Sequence, residues 1–82
     1  MIYSEKILGE ILRKMYDNAP RNEQVLMIHL FGIKYGGIME ENGFKSADII
    51  KAANMNESYK TEVSKGIKLG KYVEIKKDKD IF

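Results

Sequence analysis

The 82-residue chain contains no cysteine, no tryptophan, one histidine and one proline. Without cysteine there are no disulfides, no thiolate metal ligands and no cysteine nucleophile. The lone imidazole, His29, rules out any site built on two histidines. The longest apolar stretch, Val25 to Ile33, is broken by His29 and Gly32 and falls far short of the ~20 residues that span a bilayer. Met1-Ile2-Tyr3 gives way at once to Ser4-Glu5-Lys6, so the apolar region of a secretory signal is not expected. No internal repeat or low-complexity segment is visible. These absences point to a cytoplasmic module without catalytic, cofactor-binding or metal-ligating residues and without membrane contact.

What is present describes a chain that folds. Apolar residues make up 44% and charged residues 32%, too apolar for disorder. The length suits one domain, residues 1–82. A chain of this size buries only about 60% of its unfolded surface, so its stability margin is thin. The formal net charge is +2, but it is unevenly spread. Residues 1–44 hold five basic and six acidic groups; residues 45–82 hold nine lysines and six acids. Seven of those lysines fall within 60–79, against three acids. The competing readings are an ordinary solvated surface and a cationic face that meets phosphates. All nine are lysines, which suits point-charge contact with a phosphate backbone rather than bidentate reading of base edges.

Apolar periodicity predicts a helix from about Ser4 to Asp17. Ile7, Leu8, Ile11, Leu12, Met15 and Tyr16 share one face, Ser4 is placed to cap it, and Glu5 favours the first turn. Pro20 stops it by pushing Ala19 out of helical geometry and suits the first turn of a second helix. Val25 to Ile33 is apolar nearly all round and is expected to run through the core. A buried strand competes for a run of that length; helix is favoured because Gln24, Leu26, Met27 and Leu30 are good helix formers. Gly32, Gly36 and Gly37 are either close-packing positions or the end of this helix. Ile38 to Gly43 reads as a last turn with Asn42-Gly43 as its left-handed stop.

Ser46 to Leu69 reads as two short helices joined by a tight turn. Ser46 caps the first, Ile49, Ile50, Ala52 and Ala53 form its buried side, and Asn54 suits a left-handed exit. Met55 fills the corner and Asn56 caps the second helix. Tyr59, Val63 and Ile67, with Gly66 beside them, occupy a wedge of roughly 100° on that helix. The opposite face holds Glu57, Ser58, Thr61, Ser64, Lys65 and Lys68, and small hydroxyls and lysines there suit contact with phosphates and base edges.

Residues 46–67 resemble a bacterial helix-turn-helix, and the chain is similar to small helix-turn-helix-like domain proteins of bacteria and their mobile elements. Ala53, Asn54 and Met55 match the turn, and Val63 matches the second docking position of the second helix. Lys60 departs from the pattern: an apolar residue is usual there, whereas Tyr59 sits one position earlier. The resemblance implies double-stranded DNA as partner and a role in transcription regulation. The expected DNA-binding residues are Ser58, Lys60, Thr61, Ser64, Lys65, Lys68 and Lys71, with a homodimer enlarging a small footprint.

Beyond Gly70 the period changes. Tyr72-Val73-Glu74-Ile75 alternates, Lys76 to Lys79 is a charged turn, and Asp80-Ile81-Phe82 is apolar again. The expected fold is therefore mainly α, a compact helical bundle containing a helix-turn-helix, with a short C-terminal β-strand or hairpin. Such a hairpin would resemble the wing of a winged helix-turn-helix; an ordinary C-terminal strand, or pairing of Tyr72–Ile75 with Met1–Tyr3, competes with it.

Enzyme chemistry finds no foothold. Glu40 and Glu41 point about 100° apart on a helix and do not pair. Gly36-Gly37 lacks the context of a phosphate-cradling loop. His29, within the most apolar run, reads as a hydrogen-bonded core or boundary residue, and the five methionines read as core filler. The rival function is a protein-interaction module or dimerising adaptor on the same scaffold, using Phe31, Tyr35 and Phe44 at its interface.

Overall fold

The computed structural model describes residues 2–76 of the chain. Four α-helices follow one another: α1 (Glu5–Asp17), α2 (Gln24–Asn42), α3 (Ser46–Ala52) and α4 (Lys60–Leu69), with a 3-10 turn (Glu57–Tyr59) leading into α4. The mainly helical expectation holds, and the 25–33 run is helix rather than buried strand.

Local chemistry sets most of the boundaries. Ser4 lies in extended geometry and its hydroxyl accepts a hydrogen bond from the Ile7 N–H at 3.1 Å, the expected cap of α1. Leu8, Leu12 and Met15 then bury one face of that helix. Pro20, however, does not open α2. Its carbonyl accepts the Glu23 N–H at 2.9 Å, and Asn22 takes a left-handed φ of 68°. That left-handed residue interrupts any helical run from Pro20, so α2 starts four residues later. At the other end Gly43 adopts φ 69° and stops the helix where Asn42-Gly43 predicts, conformational freedom that a side chain would restrict.

Burial on α2 is one-sided. Ile28, Phe31, Gly32, Tyr35, Gly36 and Met39 face inward, whereas Val25 and Leu26 stand largely in solvent. The core draws on every helix, adding Ile49, Ile50, Ala53 and Val63 from the second half. Among the described residues no helix is long and apolar enough to cross a membrane.

Two close crossings arrange these elements. At the first, Gly9 of α1 lies against Ala52 and Ala53, and a carbon added there would come within 2.6 Å of the Ala52 Cβ. At the second, Gly32 of α2 meets Gly66 of α4 backbone to backbone, so Gly32 is a packing position; Gly36 lies against Ile67 in the same seam. Gly37 has open space around it.

Two further expectations need correction. Ser46 does not cap α3. Lys45 occupies the cap position without a side-chain bond, and Ser46 Oγ instead shares a hydrogen bond of 3.0 Å with Ser64 Oγ of α4. A partner from another helix outcompetes the local backbone N–H. Likewise, Tyr72 to Ile75 form no strand, and no strand occurs among the described residues. The N–H groups of Tyr72 and Val73 both bond to the Leu69 carbonyl, extending the helix end as a turn. Among the described residues no strand pairs with Glu74 and Ile75, and residues 2–4 have no regular structure. The second half of the proposed hairpin, residues 77–82, lies outside the described residues.

Candidate nucleic-acid interface

The α3–turn–α4 unit is built from short-range signals and fixed by long-range ones. Asn54 leaves α3 at φ 56°, the left-handed exit expected of it. Its carbonyl accepts a bond from Arg13 Nη1 at 3.1 Å, while Arg13 Nε donates to Asp17 at 3.0 Å. The Asn56 side chain accepts the Ser58 N–H at 2.9 Å, capping the 3-10 turn. That turn accounts for the odd position of Tyr59. Three residues of 3-10 geometry advance about 120° each rather than about 100°, which re-phases the helix that follows. Tyr59 thereby turns inward, its ring 5.5 Å from that of Tyr16 and the two hydroxyls 3.1 Å apart. This bond, and burial with it, raises the Tyr16 pKa. Lys60, in the usual apolar position, is left exposed.

Along α4, Val63 and Gly66 are buried and Ile67 partly so. Counting ~100° per residue, Thr61, Lys65 and Lys68 fall within about 60° of one another on the far side, and all three are exposed. The structure therefore brings together three of the seven expected residues. Ser64 does not join them: it turns toward α3 and bonds to Ser46. Lys60 falls outside that face, about 100° from Thr61 by the same count, and pairs with Glu57 at 3.0 Å. Ser58 is exposed in the 3-10 turn before α4, and Lys71 is exposed in the turn after it.

Both nearby acids are locally compensated. Glu57 holds Lys60, and Glu62 accepts a bond from His29 Nε2 at 2.6 Å with Lys65 Nζ at 3.6 Å. The His29 bond, aided by Lys65, holds the Glu62 carboxyl below the usual glutamate range despite an opposing effect of burial. Acids that would repel phosphates are thus turned into internal links, one of them tying α4 to α2. Lys68 and Lys71 have no ion pair among the described residues.

Beside this face lies a second, apolar feature. A shallow groove of about 320 Å³ is lined by His29, Lys65, Lys68, Leu69 and Tyr72. Its surface is almost wholly carbon. Tyr72 is 86% exposed and Leu69 42%, high values for large apolar side chains. The signal was available in sequence as Leu69 and Tyr72 three apart, on the side of Lys65 and Lys68. The strand-like alternation of Tyr72 to Ile75 hides it.

The interface residues of the rival reading are mostly interior. Phe31 is 0% and Tyr35 5% exposed, with rings 5.1 Å apart, and Phe44 packs partly buried against the core. Side chains that complete the core are not available to a partner, so substituting Phe31 or Tyr35 tests folding rather than association.

Compared with known protein families, the chain matches the family model described as HTH-like domain over residues 4–76, which takes in α1 to α4. No curated protein and no solved structure matches the chain.

Proposed function

The chain belongs to the HTH-like domain family, and from that premise we propose that it binds double-stranded DNA through the free face of α4 as a regulatory module. The observation that carries this reading is the division of α4 into two sides. Val63, Gly66 and Ile67 anchor it, and Thr61, Lys65 and Lys68 stand together in solvent. Lysines meet phosphates on either side of a groove, and Thr61 is small enough to let the helix backbone approach. Lys71, just past the helix, extends the same cationic run, while Lys60 and Ser58 take secondary places at its start. The small footprint suits two copies acting on half-sites about 34 Å apart.

Titration of a random duplex at two salt concentrations tests the proposal. With three phosphates neutralised, affinity falls roughly 40-fold between 50 and 200 mM monovalent salt. Lys65→Glu combined with Lys68→Glu abolishes binding while the helical circular dichroism is retained. A flat salt response, or no duplex binding at low salt, refutes the reading.

A further inference from the structure

We propose that the groove formed by His29, Leu69 and Tyr72 between Lys65 and Lys68 is a receptor for the thymine methyl group, giving the DNA interface a preference for 5-methylated pyrimidines. The inference rests on the duplex-binding reading above and adds to it the chemistry by which bases would be told apart.

The argument starts from overlap. Leu69 follows Lys65 and Lys68 around α4 within about 100°, and Tyr72 lies in the turn just beyond the helix end. Lys65 and Lys68 themselves line both the free face and the groove. A duplex seated on the free face therefore covers the groove as well. The groove offers that duplex almost no donors or acceptors. His29 Nε2 is already committed to Glu62, Leu69 has no polar atom in its side chain, and the lysine stems are hydrocarbon. In the major groove, base edges present hydrogen-bonding atoms at every pair, and the bulkiest apolar group there is the 5-methyl of thymine, where cytosine carries only a C5–H. An apolar recess facing a base edge would leave a polar edge atom desolvated without a partner and would be filled less well by a bare C5–H. The flanking charges complete the match, because the ammonium groups of Lys65 and Lys68 can reach phosphates while their stems wall the recess.

The test removes and adds only the methyl. A hairpin duplex of alternating A·T pairs is compared with the same duplex carrying deoxyuridine for thymidine. A G·C duplex is compared with its 5-methylcytosine form. Wild-type protein is expected to bind the uracil duplex about fourfold more weakly for each methyl engaged, and to gain a similar factor from cytosine methylation. In Tyr72→Ser and Leu69→Asn variants, both at exposed positions, the two ratios should fall toward one whatever the change in overall affinity. Salt-dependent duplex binding with both ratios already at one in the wild type overturns the methyl receptor and leaves the DNA reading standing. Absence of duplex binding at low salt overturns both together. Self-association that is lost in Tyr72→Ser, with ratios of one, overturns the proposal by assigning the groove to a second copy.

Discussion

The two helices of the turn motif are held by different partners and in different ways. At the α1–α3 crossing, Gly9 meets a side-chain carbon, Ala52 Cβ, together with backbone of Ala52 and Ala53. Polar bonds from Arg13 and Tyr16 reinforce it at the turn. At the α2–α4 crossing, Gly32 and Gly66 bring backbone onto backbone, and the closest atom facing Gly66 is the His29 carbonyl oxygen. Neither contact can yield by a rotamer change: the Ala52 methyl is fixed to its own Cα, and a peptide carbonyl inside a helix cannot move without the helix; the approach is the closer of the two at Gly66. The helix that presents the lysines is the one held by the closer of the two contacts.

Substitutions can break this contrast. The largest effect is expected for Gly66→Ala, whose new carbon runs into the His29 carbonyl. It should cost about 3 kcal/mol in denaturant unfolding, or prevent folding, and displace α4 where the fold survives. Gly9→Ala should cost somewhat less, about 2 kcal/mol, because the approach to Ala52 and Ala53 is less close than that of Gly66 to the His29 carbonyl. Equal losses at the two positions would dissolve the distinction between the crossings. Gly37→Ala sharpens it from the other side. This position is mid-helix with nothing within 4 Å, so alanine should stabilise by about 0.8 kcal/mol.

The smallest effect concerns the one charged link across the α2–α4 crossing. Glu62 has a depressed pKa in the folded state, so its contribution is present above the ordinary glutamate pKa and is lost as pH falls through the lower folded value. Glu62→Gln should therefore be less stable than wild type near pH 7, with the difference closing below about pH 4. A difference that stays constant across that window would show that the carboxylate charge is irrelevant to the crossing.

Features decided by near neighbours were legible in the sequence. The Ser4 cap, the Gly43 stop, the left-handed Asn54, the Asn56 cap and the inward set Tyr59, Val63 and Ile67 all depend on residues within one or two turns. On the free face of α4, Thr61, Lys65 and Lys68 were legible in the same way, whereas Ser64 turns toward α3 and Glu57 and Ser58 stand in the 3-10 turn. What could not be read depends on a second element. Ser46 and Ser64 find each other across 18 residues and leave their expected roles. Tyr72–Ile75 has strand chemistry but no strand to join among the described residues. Phe31 and Tyr35 look like interface aromatics until the core that needs them is assembled. Gly9 and Gly66 are small for reasons that exist only at a crossing, so a single-helix reading assigns them nothing.

The Arg13–Asn54 bond joins residues 41 positions apart, and α1 and α2 each clamp a different member of the turn motif. The first helix grips the third and the second grips the fourth, like two interleaved hands. No cut through the chain then separates a self-sufficient half. A proteolytic nick in the Asn18–Glu23 loop would leave α1 bound only through its contacts, and residues 46–69 synthesised alone would lack both clamps. Opening of the lysine-bearing helix should thus be tied to opening of the whole. In hydrogen exchange, the amides of α4 should approach the protection of the central α2 amides rather than fray early like a peripheral helix.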